Sequence, residues 1–140
     1  MAEKIVGIVA HSGKSGAASL TRALLKDLGE HRIEARLETE TAQLLGRSDG
    51  CTIPELAEVC EIILVLGGDG SILRVAHSLG EKMCPLLGIN LGALGFLTCV
   101  NSADHSEVVQ TIAAGQVVLS SRALLQVDKL DSAGNVLASF

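Results

Sequence analysis

Apolar residues fall into short, strand-sized runs separated by helical stretches with turn signals between them. The run Ile5 to Ala10 reads as a buried strand, and Ser15 to Leu28 as a helix ended by Gly29. Residues Ile33 to Leu37 alternate as a second strand, and the polar stretch Thr39 to Thr52 reads as loop with a short helical turn. Pro54 suits the first turn of a helix over Ile53 to Cys60. Ile62 to Leu66 is a continuous branched-aliphatic strand of the kind buried on both faces. The chain then turns at Gly67-Gly68-Asp69-Gly70, Ser71 caps a helix from Ile72 to Leu79, Gly80 ends it, and Leu86 to Ile89 returns as a strand. This βαβ rhythm predicts an α/β fold with a mostly parallel open sheet and flanking helices.

After a glycine-rich loop, Asp104 and Glu107 have capping-box spacing at the start of a helix running to Ala114 and stopped by Gly115. From Val117 the pattern changes to strands, Ala123 to Leu130 and Val136 to Phe140, around the turn composition of residues 131–135. An isolated hairpin is marginal and needs a sheet partner. Residues 1–116 are therefore read as one α/β domain, and 117–140 as the first hairpin of a truncated β-rich second domain.

Hydrophobic residues make up 48% of the 140 and charged residues 19%, a balance that supports a buried core. With two Phe and no Tyr or Trp, that core is aliphatic, which favours α/β layering. A net charge of −5 without clustered Lys and Arg argues against a nucleic-acid partner. No apolar run approaches the roughly 20 residues of a membrane span, and Glu3 and Lys4 lead directly into a strand without a leader, so cytosol is the expected compartment. Cys51, Cys60, Cys84 and Cys99 form no CxxC pair, and His11, His31, His77 and His105 lack metal-ligand spacing, so no structural metal is expected.

The densest chemical signal is Gly67-Gly68-Asp69-Gly70-Ser71, between a buried strand and a helix start. Ligands of open parallel sheets bind at the carboxyl ends of strands, and glycines let backbone amides face an anion at the helix's positive end. A carboxylate there would repel a phosphate unless it accepts a proton or holds a cation; the alternative is that Asp69 merely caps the helix. Gly13-Lys14-Ser15 resembles the end of a P-loop, but the glycine required at position 8 is Ile8, and Gly7 misses by one. The GxGxxG fingerprint is also missing, and Gly92 with Gly95 does not replace it.

The run Gly67-Gly68-Asp69-Gly70-Ser71-Ile72-Leu73-Arg74, followed by Gly88-Ile89-Asn90-Leu91-Gly92-Ala93-Leu94-Gly95-Phe96-Leu97-Thr98, resembles the two signature segments of NAD kinases. The resemblance extends from Ile5 to the terminal hairpin. Ser71 stands where the family more often has Thr and keeps the hydroxyl. The resemblance implies phosphoryl transfer from ATP or polyphosphate to the adenosine ribose 2′-hydroxyl of NAD, with a divalent cation, Mg2+, and Asp69 as proton acceptor. By the same analogy Asp69, Gly70 and Arg74 line the NAD pocket, Gly67, Gly68, Ser71 and Asn90 belong to the nucleotide site, and Lys14 either approaches ATP phosphates or is solvated. His77 is read as packing or helix surface. The implied partners are NAD and ATP, with a homo-oligomer in the complete enzyme. A diacylglycerol or sphingoid lipid kinase shares a similar first turn, but the segment Gly88 to Thr98 speaks against it. A non-catalytic nucleotide-binding remnant is the other alternative, because the family's later Asn-Glu or Asn-Asp pair and most of its NAD pocket lie outside these 140 residues.

Overall fold

In a computed structural model, which describes residues 4–140, five strands form one parallel sheet. The expectation about a leader rested in part on residues 1–3, which lie outside the described residues. In chain order the elements are β1 (Ile5–Ala10), α1 (Ala17–Glu30), β2 (Glu34–Leu37), α2 (Thr39–Leu44), α3 (Ile53–Val59), β3 (Ile62–Gly67), α4 (Asp69–Leu79), β4 (Leu86–Asn90), β5 (Thr98–Asn101) and α5 (His105–Ala113). A separate antiparallel pair, β6 (Asp128–Leu130) and β7 (Val136–Ser139), follows. The sheet order is β2-β1-β3-β4-β5, and every neighbouring pair is parallel.

The two-residue period of the central strands divides the core. Val6, Ile8, Ala10, Ile62, Leu64 and Leu66 point to the face covered by α1 and α5, where they meet Leu20, Leu24, Leu28, Val109 and Ile112. Val9, Ile63 and Val65 point to the other face, against Leu56 of α3 and Val75 and Leu79 of α4. All six residues of β3 are buried, as an unbroken aliphatic run between two helical layers requires. Because α1 leaves β1 on one face and α4 leaves β3 on the other, the carboxyl ends of β1 and β3 form the point where connections diverge. A crevice opens at such a point.

Several boundaries differ from the sequence expectation. Helix α1 starts at Ala17 behind Gly16, which holds φ 85, and it runs through Gly29. The reversal is made by Arg32 at φ 57, where the Ile33 amide donates to the Leu28 carbonyl at 2.9 Å. The Thr39 to Thr52 stretch contains a six-residue helix, nucleated by buried Glu38, whose carboxylate accepts from the Thr41 amide and hydroxyl. The Thr41 hydroxyl in turn accepts from the Ala10 amide at 2.8 Å, fixing the exit of β1. Asp104 makes no side-chain cap; α5 is instead tied to α1 by Asp27, which accepts from the Ser106 hydroxyl and pairs with His105 at 2.6 Å. The segment expected only as loop carries an edge strand, β5. In the tail, the strand expected from Ala123 is ordered as ladder only from Val127, whose amide and carbonyl pair with Phe140. Among the described residues no helix is long and apolar enough to cross a membrane.

Candidate active site

The Gly67–Ser71 turn sits at the carboxyl end of β3, where the sequence places it, but its local structure is tighter than expected. Helix α4 begins at Asp69 itself; Gly68 is the N-cap and contributes no side chain. Ser71 is therefore not the cap but lies inside the first turn, buried, with its hydroxyl directly against the Cα of Gly67. A Cβ at Gly67 would overlap that hydroxyl, so the glycine is demanded by packing. The Gly67 carbonyl accepts from the Leu91 amide at 3.0 Å, which joins the first signature segment to the second.

Asp69 makes the stronger connection. Its Oδ2 accepts from the Phe96 amide at 2.8 Å, and its Oδ1 accepts from the amides of Leu97 at 2.9 Å and Thr98 at 3.3 Å. The carboxylate is half-buried, beside exposed Gly70. The Leu97 and Phe96 amides, opposed by partial desolvation and helped by Thr98, hold its pKa below the usual aspartate value. It stays ionised at any neutral pH, and one lone pair of Oδ2 is left for a further donor.

The second segment is stapled along its length. Asn90 is buried, and its Oδ1 accepts from the Gly92 amide at 2.7 Å, while its Nδ2 has no partner among the described residues. Exchanging the two amide atoms would bring two donors together, so the Gly92 bond fixes the orientation. Asn90 thus shapes the loop from inside instead of facing the solvent side of the turn. The Thr98 hydroxyl accepts from the Gly95 amide at 3.2 Å. A Cβ on Gly95 would fall within the Asp69 carboxylate, so only glycine lets these amides approach it. The tip of the segment is apolar and uncovered: Phe96 is 100% exposed, and Leu94 and, on α4, Leu73 also face solvent.

Arg74 is exposed on α4 and lines a cleft of about 190 Å³ with His11, Ser12 and Glu40. That cleft lies at the divergence crevice between β1 and β3, where the Arg74 guanidinium and the Glu40 carboxylate share one lining. A second cavity of similar volume, lined by Glu61, Ile62, Pro85, Ile112 and Val117, opens near the amino ends of β3 and β4, away from the turn. His77 and Lys14 are exposed, so His77 is helix surface. Among the described residues no three His, Cys, Asp or Glu side chains converge as a metal site, and both Asp69 oxygens are engaged by amides.

Phe96, Leu73 and the amides of 96–98 carry no individual role in the sequence reading. Their signal was present only as a glycine-rich segment; which carboxylate it meets is a contact across 27 to 29 positions.

A sequence profile of the ATP-NAD kinase N-terminal domain matches residues 6–117. The chain is 36% identical over 122 residues to an NAD kinase of Desulforamulus reducens, covering 86% of this chain and 42% of that one. It is 37% identical over 125 residues to an NAD kinase of Pseudomonas putida, covering 88% of this chain and 42% of that one. The chain thus spans less than half the length of the curated relatives it matches. In structure it is similar to yeast NADH kinase, solved in complex with NADH, with a TM-score of 0.70, 18% identity, and coverage of 81% of this chain and 39% of that one, a likeness of fold. Profile, relatives and fold converge: the chain belongs to the NAD kinase family.

Proposed function

We propose that this chain supplies the amino-terminal half of an NAD kinase, which transfers a phosphoryl group from ATP or polyphosphate to the ribose 2′-hydroxyl of NAD and yields NADP. The observation that carries the reading is the Asp69 carboxylate, ionised, half-buried and aimed by three backbone amides at the exit of a parallel strand. The sugar hydroxyl donates to the remaining Oδ2 lone pair, and its proton passes to the carboxylate as the new O–P bond forms and the bond from that phosphorus to the donor's bridging oxygen breaks, releasing the shortened donor (ADP from ATP). Phosphoryl transfer has a loose transition state in which the attacking oxygen gains charge late, so a weakly basic carboxylate suffices. Positioning matters more than basicity.

Gly70 leaves space beside the carboxylate, and the uncovered Phe96 ring offers a flat apolar face for a base. Arg74 and the first amides of α4 supply positive potential for phosphates. In this reading the divalent cation enters with the donor's phosphates, as part of that substrate. Family membership sets aside the lipid-kinase alternative. NAD and the donor are small molecules, and the same reading assigns the protein to the cytosol, as a homo-oligomer when complete, with no nucleic acid or membrane partner. Because the curated relatives are more than twice as long, the 140 residues alone are expected to make little NADP.

The test is NADP formation by a full-length kinase carrying this half, with Asp69→Asn. Loss of a positioned acid–base group lowers turnover by about 10²- to 10⁴-fold. Retained turnover would remove Asp69 from the chemistry.

A further inference from the structure

We propose that Gly95 and the three amides that follow it are the positioning element for the reacting carboxylate: the second signature segment acts by aiming Asp69, and Gly95 is what allows it to do so. This rests on Asp69 being the proton acceptor proposed above.

The argument begins with valence. A carboxylate offers about four acceptor positions, and here Oδ1 takes two amides and Oδ2 one. Three fixed donors leave a single open direction, on Oδ2. Asp69 stands at the first position of α4, yet its carboxylate accepts from the amides of residues 96–98 and not from those of its own helix. The selection comes from β4–β5 instead.

The segment is held so that it can do this. Its entry is fixed by the Asn90 bond to Gly92 and its exit by the Thr98 hydroxyl accepting from Gly95. Thr98 then starts β5, in register with Gly88 of β4, so the Leu97 and Thr98 amides inherit the rigidity of the sheet. Gly95 is not at a positive φ, so its requirement is one of space alone: any Cβ would occupy the volume of the Asp69 carboxylate. An alanine there expels the carboxylate from its amides while leaving the chemical identity of the proton acceptor unchanged. That makes Gly95 a clean handle on position as distinct from identity.

The experiment combines Gly95→Ala with Thr98→Val, which deletes the hydroxyl that accepts from Gly95. In the 140-residue chain, carbon-13 detected titration of the Asp69 carboxyl and amide hydrogen exchange at 96–98 report whether the clasp exists. In the full-length kinase, kcat and KM for NAD report whether it matters. Gly95→Ala is expected to raise the Asp69 midpoint toward the ordinary aspartate value, to accelerate exchange at 96–98, and to lower kcat by about 10- to 100-fold, the scale of a 1 Å misplacement, with KM for NAD little changed. Thr98→Val moves the same readouts in the same direction by less, and serves alone if Gly95→Ala does not fold.

A merely structural glycine would lower thermal stability and leave the Asp69 midpoint where it was, and that result overturns the proposal. So does a variant with a broken clasp and unchanged kcat, or a Gly95→Ala chain whose exchange and titration match the wild type. If Asp69→Asn itself retains turnover, the proton-acceptor reading fails and takes this one with it; if Asp69→Asn is inactive while a clasp-broken Gly95→Ala is fully active, only the positioning role is lost.

Discussion

The parallel sheet and the tail after it are built from similar residues, yet they behave as opposites. β3 is Ile-Ile-Leu-Val-Leu-Gly with every residue buried, whereas Val118, Leu119, Leu124, Leu125 and Val136 in the tail are all exposed. Apolar content is comparable; what differs is the availability of layers. β3 lies between two strands and beneath helices on both faces, so its side chains leave water wherever they point. Among the described residues β6 and β7 pair only with each other, and a two-stranded ribbon by itself has no second layer against which to bury a face. A hydrophobic pattern specifies which side should be covered, while the covering must come from elsewhere.

This contrast is sharpest in the cost of deleting a side chain. Leu64→Ala, inside β3, is expected to lower stability by about 2–5 kcal/mol, because it opens a cavity in a packed layer. Leu125→Ala in the tail is expected to change it by no more than about 0.5 kcal/mol. Urea unfolding of both variants checks the pair, and equal losses would mean that the tail is part of the same packed unit.

The two regions also make their reversals differently. In the tail's turn Gly134 takes the left-handed conformation at φ 85, at no steric cost. At the end of α1 the same job falls to Arg32, φ 57, a conformation that costs an L-residue roughly 1–2 kcal/mol. Arg32→Gly is expected to stabilise the chain by up to about 1 kcal/mol, since glycine's greater unfolded entropy offsets part of the relief. A lower unfolding midpoint would show that the Arg32 side chain contributes more than its backbone costs.

The finest distinction is in acid. Asp69 and Asp131 are both held below the usual aspartate pKa by backbone amides, Asp69 first by Leu97 and Asp131 first by Asn135. A depressed folded pKa stabilises above the unfolded value, near about pH 4, and the contribution is lost as pH falls through the folded value. The sign is the same for both, but the consequence differs. Asp131 holds only its own turn, accepting from Ala133 and Asn135, so its protonation loosens residues 131–135. Asp69 holds a segment 27 to 29 positions away, so its protonation is expected to release the amides of 96–98 together. Amide exchange followed from pH 6 downward separates the two, and release of 96–98 well above pH 4 would show that Asp69 is not what retains them.

Much of the fold was legible because its signals are local. Ile5–Ala10 is bounded as its apolar run predicts, Pro54 does occupy the first turn of α3, and Thr52 and Glu55 complete a capping box there. The failures share a cause. The pattern predicts a stop at Gly29, but Gly29 stays helical and the left-handed turn occurs three residues later, at Arg32. Asp104 and Glu107 have the spacing of a cap, but α5 is anchored by Asp27 of another helix. Ser71 looked like a cap because it follows Asp-Gly, yet α4 had already begun. The parallel-sheet class, by contrast, follows from alternation of strand and helix that no single boundary error disturbs.

The sequence by itself determined the strand–helix alternation, the burial of β1 and β3, and the presence of an aspartate among glycines at a strand exit, because periodicity and glycine placement act over a few residues. Tertiary structure alone decided which amides that aspartate would meet and that Asn90 would turn inward. Those outcomes depend on what other parts of the chain bring alongside, and a contact between distant positions leaves no trace in the spacing of either.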